Sequence, residues 1–147
     1  MEKPMHNLKI TSEPHAGERD AAFVREALAL HNVAVTQDAY YSPLAIFLRD
    51  ERGAILGGAL GDVWGGWLDL TFLWVVEPLR GQGYGKQLLK AAEEEARAHG
   101  CRGVHSSTHS FQARPFYEKS GYEVVGEIPD HPAGYSLFFL KKIIAKD

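Results

Sequence analysis

The sequence predicts an α/β fold with a mixed sheet, and two observations carry this prediction. Segments in which apolar and polar residues alternate with period two, as in strands, are interleaved with segments of helical, 3.6-residue periodicity. In the second half of the chain a strand, a helix and a strand follow one another, an order that calls for locally parallel pairing. The 147 residues contain no linker or repeat, so we expect a single domain over 1–147.

The individual elements follow from periodicity and turn signals. Alternation predicts a short strand over 7–12, and residues 32–41 suit either a second short helix or a mobile connection after the first helix. The turn Asp50–Gly53 separates the first two strands of a meander, and Gly100 is the stop signal of a helix with one apolar stripe. The predicted strands are 7–12, 44–49, 54–62, 66–76, 102–108, 122–128 and 135–142, and the predicted helices are 17–31, 83–99 and 110–120.

The strand at 66–76 has two different faces. Its even-numbered residues from Leu68 to Val76 are all apolar, which predicts a face that packs on the core. Its odd-numbered residues include Asp69 and Thr71 among apolar neighbours, which is typical of the half-wet floor of a cleft. A β-bulge would exchange the two faces partway along the strand.

A glycine-rich segment, Arg80–Lys86, joins this strand directly to the next helix. Three glycines in five positions let the backbone approach a ligand, and the helix N-terminus favours negative charge, so a phosphate group is the expected ligand. The dinucleotide fingerprint would need glycine in place of Lys86. A Walker loop would need glycine in place of Arg80 and Ser or Thr in place of Gln87, so neither motif is present.

The motif Arg-x-x-Gly-x-Gly, beginning at Arg80 after a hydrophobic strand, resembles the signature of the GNAT superfamily of acyl-CoA-dependent N-acyltransferases. Residues 110–122 resemble the second conserved block of that family, with Ser110 in place of the usual asparagine and Pro115 inside the block's helix. The resemblance implies a strongly twisted mixed sheet of six to seven strands, about four helices, and a V-shaped gap between strands four and five.

The resemblance also implies that acetyl-CoA binds in this gap and that the acetyl group passes directly to a primary amine of a small molecule or protein in a ternary complex. Backbone N–H groups of the glycine-rich turn would hold the pyrophosphate, and Val75 and Val76 would pair with the pantetheine. An N–H group near Trp74 or Val75 would bind the thioester carbonyl. The cofactor-binding residues expected on this basis are Trp74, Val75, Val76, Arg80, Gly81, Gln82, Gly83, Tyr84, Gly85, Lys86, Ser110, Ala113, Phe116, Tyr117 and Lys119.

Two residues are expected to be catalytic. Tyr117 matches the family tyrosine that protonates the departing thiolate, and a phenol with a pKa of about 10 stays protonated at neutral pH. Asp69 falls where several members carry a glutamate on the fourth strand, and it is the candidate base for the amine. An aspartate is a weak base unless burial raises its pKa or a water relays the proton, so Glu77 and His109 are the alternatives.

The acceptor site has two further candidate regions. The segment 130–135 connects the last two strands and carries an acid, an imidazole and a phenol beside a turn. Trp64 and Trp67 flank two glycines and are candidate walls of an acceptor pocket, although aromatic packing is the commoner explanation for such residues.

Charge and composition disfavour several classes of protein. A net charge of −3 disfavours a dedicated nucleic-acid binder, and no apolar run approaches the roughly 20 residues that cross a bilayer. A cytoplasmic protein is expected, since the N-terminus lacks the apolar stretch of a secretory signal. Cys101 is the only cysteine, which excludes an internal disulfide, and His105 and His109 lie about 13 Å apart on a strand, so no metal site is expected.

The sequence therefore indicates an acetyl-CoA-dependent N-acetyltransferase. The alternative is a CoA-binding regulatory or scaffolding module without transfer activity, and a longer acyl donor also stays open. Because many members of the family pair through their sheets or C-terminal strands, the resemblance leaves open a homodimer.

Overall fold

A computed structural model describes residue 2 and residues 7–146 of the chain. Their contacts separate into two compact units, one ending at Ala39 and the other beginning at Tyr40. The prediction of a single domain over 1–147 stays a prediction. In chain order the elements are α1 (Glu18–Thr36), β1 (Tyr41–Arg49), β2 (Ile55–Trp64), β3 (Trp67–Val75), a short 3₁₀ helix (Glu77–Leu79), α2 (Tyr84–Ala98), β4 (Gly103–His109), α3 (Arg114–Lys119), β5 (Glu123–Pro129) and β6 (Ser136–Ile143).

The first unit differs from the sequence-based prediction in two ways. Residues 7–12 form no strand, and the side chains of Leu8 and Ile10 are exposed, so the predicted first strand is wrong. An alternating pattern becomes a strand only where a second strand pairs with it. The segment 32–41 is not a separate helix, because α1 continues through Thr36 and ends with Gln37 in the left-handed conformation.

The second unit is a six-stranded mixed sheet, which confirms the predicted α/β class. The strand order is β1-β2-β3-β4-β6-β5; only β3 and β4 pair in parallel, and the other pairs are antiparallel. Helix α2 packs across β1 to β4, and its buried face consists of the predicted apolar stripe together with Glu93. The largest fully buried side chains of the core are Leu68, Leu70, Leu89, Leu140, Val63 and Val104.

A β-bulge at Thr71 changes the faces of β3. The register between β2 and β3 shifts by one residue at this point, and Thr71 is left without a partner. Past the bulge, Phe72 and Trp74 are 64% and 50% exposed, whereas Leu73 is half-buried and Val75 is buried. The predicted core face of this strand is therefore wrong from Phe72 onward, because one inserted residue moves every later side chain to the opposite face.

The bulge coincides with the point at which β3 and β4 separate. The two strands pair from Trp67 to Leu70 and from Gly103 to Ser106, and their later residues are not paired with each other. This opening is the V-shaped gap implied by the resemblance. It lies between the third and fourth strands rather than the fourth and fifth, because the strand predicted at 7–12 is absent.

The helix predicted over 110–120 is shorter than expected. Residues 110–113 form a turn, and α3 begins at Arg114 with Pro115 in its first turn. Proline has no N–H to donate and is tolerated only in the first turn of a helix, so Pro115 sets where α3 begins. Ser110 and Ala113, expected in the block's helix, precede it. In the part of the chain that the structure describes, no helix is long and apolar enough to cross a membrane.

Candidate active site

A cavity of about 420 Å³ lies where β3 ends and α2 begins, and we call it the cofactor cavity. Its wall combines the glycine-rich turn, the end of β3 and one face of α3. The lining residues are Val75, Leu79, Arg80, Gly81, Gly83, Gly85, Lys86, Phe116, Lys119 and Ser120. All of them except Leu79 and Ser120 are among the predicted cofactor-binding residues. The sequence prediction missed these two because neither carries a motif signal.

The N-terminus of α2 presents backbone donors to this cavity. Gly83 is the N-cap, and its φ of +89° is a conformation that suits glycine. Gln87 makes the first helical hydrogen bond, from its N–H to the Gly83 carbonyl at 3.1 Å, so the N–H groups of Tyr84, Gly85 and Lys86 lie ahead of it. The first turn of α2 contains no acidic residue. The arrangement therefore favours an anion such as a diphosphate.

Side chains complete the cofactor cavity. The Nε of Arg80 donates a hydrogen bond to the Val75 carbonyl at 2.9 Å and fixes the turn against the end of β3. Lys86 and Lys119 add positive charge to the lining. A Cβ at Gly85 would lie 3.6 Å from the ring of Phe116, so the ring packs closely over the start of α2.

The end of β3 exposes one set of backbone groups to the gap. The N–H of Val76 donates to the Leu56 carbonyl at 2.8 Å and is therefore directed towards β2. Successive residues of a strand direct their backbone groups to opposite edges, so those of Val75 face the gap and those of Trp74 face β2. Of the residues predicted to pair with the cofactor here, Val75 is the one whose N–H faces the gap between β3 and β4.

A second cavity, of about 280 Å³, lies between the separated parts of β3 and β4, and we call it the gap cavity. It is lined by residues of both strands, of the turn after β4 and of α3. These residues are Thr71, Phe72, Leu73, Ser107, Thr108, His109, Gln112, Ala113 and Tyr117. Ala113 thus lines the gap cavity rather than the cofactor cavity. The contribution of Gln112 could not be anticipated, because it depends on the turn at 110–113.

Tyr117 lies at the inner end of the gap cavity. It is 5% exposed, and its ring packs edge-on against Phe116 at 5.3 Å and Tyr122 at 5.4 Å between ring centroids. Burial raises the pKa of the Tyr117 phenol, and a hydrogen bond with Ser106 offsets part of that increase. The phenol therefore stays protonated at neutral pH and can donate a proton into the cavity.

The two carboxylate residues that were candidates for the base, Asp69 and Glu77, lie outside the gap cavity. Asp69 precedes the bulge and lies on the face of β3 opposite the core, where its side chain is 56% exposed and its Oδ1 is 3.8 Å from Nδ1 of His105. Glu77 begins the 3₁₀ helix and is exposed. Trp64 and Trp67 face each other at the closed end of the β2–β3 hairpin and do not line the gap cavity.

His109 forms part of the outer wall of the gap cavity. Its Nδ1 lies 3.1 Å from the Gln112 Oε1, and its Nε2 lies 3.3 Å from Nδ1 of His131, in the β5–β6 connection. The ring of Phe111 stacks on His109 with a centroid distance of 5.2 Å. Sequence reasoning considered His109 only as an alternative base and did not pair it with His131, which is 22 residues away.

Ser110 connects β4 to β6 in the structure. Its N–H donates to the Ser136 carbonyl at 2.8 Å, and its Oγ accepts from the Ser136 N–H at 3.0 Å. Both groups are therefore used inside the fold, and Ser110 lines neither cavity. Gln82, also predicted to bind the cofactor, donates its side-chain amide to the Pro78 carbonyl at 3.0 Å within the turn.

Comparisons with known proteins agree with this architecture. The model of the Acetyltransferase (GNAT) family matches residues 7–122. Acetyltransferase Atu2258 of Agrobacterium fabrum (strain C58 / ATCC 33970) is 34% identical over 119 residues, which cover 81% of this chain and 87% of the relative. Blasticidin-S acetyltransferase of Streptomyces morookaense is 37% identical over 115 residues, which cover 78% of this chain and 85% of the relative. A crystal structure of an acetyltransferase from Bacillus cereus ATCC 14579, 31% identical, has a TM-score of 0.80 and covers 90% of this chain and 97% of its own.

The fold and these relatives define an acyl-CoA-dependent acetyltransferase. The chain belongs to the GNAT acetyltransferase family, as its glycine-rich turn and its second sequence block predicted.

Proposed function

We propose that this protein transfers an acetyl group from acetyl-CoA directly to a primary amine, in a complex that holds both substrates at once. One relationship between the two cavities carries the proposal. Phe116 and Tyr117 are adjacent on α3, and Phe116 lines the cofactor cavity while Tyr117 lines the gap cavity. On β3, Val75 lines the cofactor cavity and Leu73 lines the gap cavity. A thioester that extends along β3 from one cavity would therefore end beside the Tyr117 hydroxyl.

Different groups of the chain would bind successive parts of the cofactor along this path. The N–H groups of Tyr84, Gly85 and Lys86 would hold the diphosphate, and the side chains of Lys86 and Lys119 would balance its charge. The Val75 N–H, which faces the gap, would bind pantetheine or the thioester carbonyl. When bound, acetyl-CoA supplies the activated acyl carbon. Tyr117 would give its proton to the departing sulfur, because a phenol donor beside a thiolate lowers the cost of C–S cleavage.

The size of the gap cavity favours a small acceptor group. Its volume of about 280 Å³ is just below the range for ligand pockets, about 300–1,000 Å³. A small amine, or the amine-bearing end of a larger molecule, would fill it. The relative named for blasticidin S makes this compound a reasonable first acceptor to test. Protein amines, Asp69 as the base, a cytoplasmic location and a homodimer stay predictions.

The test is acetyl transfer itself, measured as release of the CoA thiol while acetyl-CoA reacts with a library of amines that includes blasticidin S. Titration calorimetry with acetyl-CoA and with CoA is run in parallel. We expect saturable binding of both compounds and thiol release that depends on the amine. Binding without thiol release with any amine would favour the regulatory or scaffolding alternative, and the absence of binding would contradict the proposal.

A further inference from the structure

We propose that Nε2 of His131 accepts the proton that the amine loses before it attacks the thioester, and that His109 positions His131 for this step. The inference rests on the proposed function and names a base different from Asp69. Its basis is a chain of hydrogen bonds at the outer wall of the gap cavity, from Gln112 through His109 to His131.

The side chain of Gln112 determines which nitrogen of His109 carries hydrogen. Its Oε1 accepts the backbone N–H of His109 at 2.8 Å, and since a backbone N–H only donates, this atom must be the amide oxygen. Nδ1 of His109 lies 3.1 Å from the same oxygen, which can only accept, so Nδ1 carries the hydrogen. In the neutral ring Nε2 therefore has the lone pair.

The tautomer of His131 follows from that of His109. Nδ1 of His131 lies 3.3 Å from Nε2 of His109, and because the His109 nitrogen has no hydrogen, the His131 nitrogen must donate. Nε2 of neutral His131 then carries a lone pair. A base whose other ring nitrogen is held by a third group is the general arrangement of catalytic histidines.

Packing fixes this pair beside the cavity. Phe111 stacks on His109 with an interplanar angle of 15°, and Tyr135 packs edge-on against Phe111 at 4.9 Å. The backbone N–H of His131 donates to the Tyr135 carbonyl at 2.9 Å, and this hydrogen bond closes the turn of the β5–β6 connection. His109 and Tyr117 line the same gap cavity, and His131 adjoins that cavity through its contact with His109.

Several charged side chains on the neighbouring elements have hydrogen-bond or ion-pair partners of their own. Asp130, which precedes His131 in the chain, accepts the Gly134 N–H at 3.4 Å. On the adjoining elements, Glu127 accepts a hydrogen bond from the Ser136 hydroxyl at 2.7 Å, and Arg114 pairs with Glu118 at 2.8 Å. The other titratable groups of α3, β4, β5, β6 and the β5–β6 connection are Tyr117, Lys119, His105, Glu123, Tyr135, Lys141 and Lys142.

The protons balance over the reaction. The ammonium gives one proton to Nε2 of His131, and the imidazolium is stabilised by its Nδ1–H bond to His109. The free amine forms the C–N bond, the C–S bond breaks, and the sulfur takes the proton of Tyr117. The nitrogen's second proton returns to the Tyr117 oxygen, and His131 releases its proton to water.

The kinetic test compares two nucleophiles that differ in whether they need a base. Ethylamine is an ammonium ion at neutral pH, whereas hydroxylamine is largely neutral, and both are small. His131→Asn keeps a side-chain donor for His109 but cannot take up a proton, and we expect about 100-fold lower kcat/KM for ethylamine. With hydroxylamine the loss should be much smaller. Affinity for acetyl-CoA should not change, and His31→Asn on α1 is the control.

The pH profile separates positioning from catalysis. The acid limb of kcat/KM for ethylamine should disappear in His131→Asn, and it should move along the pH axis in His109→Asn, which removes only the partner ring. Equal losses for both nucleophiles, or an unchanged acid limb in His131→Asn, would overturn the proposal. An ethylamine-specific loss in Asp69→Asn with a normal His131→Asn would assign the base to Asp69.

A spectroscopic measurement tests the pair without any acceptor. Two-bond ¹H–¹⁵N spectra of the imidazole rings in the full chain should show the Nδ1–H tautomer for both His109 and His131 at alkaline pH. The opposite tautomer is the usual one for free histidine, so finding it at His131 would refute the inference. If no amine is acetylated but both rings show Nδ1–H, the proposed function fails while the hydrogen-bonded pair stands.

Discussion

The Ser106 hydroxyl donates a hydrogen bond of 2.8 Å to the backbone carbonyl of Leu70, across the last paired position of β3 and β4. Beyond this pair the strands separate, and the next residue of β3 is the bulged Thr71. A carbonyl at such a fork loses the partner that a continuous ladder would supply. The buried serine satisfies it and fixes the point at which the gap opens.

Replacing Ser106 by alanine should therefore destabilise the fold. The Leu70 carbonyl would be buried without a partner, which costs about 1–3 kcal/mol in the free energy of unfolding. Urea unfolding followed by circular dichroism measures this loss. Ser107→Ala, at the next and exposed position of β4, is the matched control and should change stability by less than about 0.5 kcal/mol. Similar losses in both variants would show that the fork does not depend on the Ser106 bond.

Replacing Tyr117 by phenylalanine should lower kcat for amine acetylation by about 100-fold, because the departing thiolate loses its proton donor. The affinity for acetyl-CoA should stay the same, since the cofactor cavity is lined by Phe116 and not by Tyr117. Single-turnover kinetics and calorimetry measure the two quantities. Tyr41→Phe, at an exposed position of β1, is the control. A parallel loss of affinity and turnover would mean that Tyr117 orients the cofactor instead of protonating the sulfur.

Gly83→Ala should weaken acetyl-CoA binding as well as stability. Gly83 has φ +89° at the N-cap of α2, and Gly53 has φ +83° in the β1–β2 turn, with open space around both. An alanine at either position should cost about 1 kcal/mol or more in unfolding free energy, because side chains rarely adopt this conformation. Only Gly83→Ala displaces the N–H groups at the start of α2. Equal cofactor affinities in Gly83→Ala and Gly53→Ala would contradict the role assigned to this turn.

Local signals in the sequence predicted most of the fold. The apolar stripe and the stop glycine of α2, the strands of the meander and the glycine-rich turn all appear close to where they were expected. Each of these features depends on residues that are close together in the sequence. The strand predicted at 7–12 failed because pairing with a second strand, which no local pattern reports, decides whether an alternating segment becomes a strand.

The candidate site was only partly predictable for the same reason. The bulge at Thr71 reverses the faces of Phe72 and Trp74, and it depends on the register with β2 rather than on their own sequence. The approach of His131 to His109 depends on the turn of the β5–β6 connection. Motifs could therefore indicate the residues around the cofactor cavity, whereas the walls of the gap cavity required the structure.

Stability should fall as the pH rises above about 10, and Tyr122 should account for much of this fall. The Tyr122 hydroxyl donates to Oε2 of buried Glu93 at 2.9 Å, and Lys142 donates to Oε1 of Glu93 at 2.8 Å. Burial raises the pKa of the Tyr122 phenol well above its usual value, and the negative charge of Glu93 raises it further. Burial also raises the pKa of Tyr117.

A phenol whose pKa is higher in the folded state keeps its proton there after the unfolded chain has lost it. The stabilisation is complete below the unfolded pKa of about 10 and is lost as the pH rises towards the folded value. In Tyr122→Phe the unfolding free energy at neutral pH should drop by about 1.5–3 kcal/mol, because a hydrogen bond to a charged group is removed. Its decline between about pH 10 and 12 should be shallower than in the wild type. Urea unfolding at a series of pH values measures both effects, with Tyr135→Phe at an exposed phenol as the control. An equally steep alkaline decline in Tyr122→Phe would show that the buried contact with Glu93 is not its source.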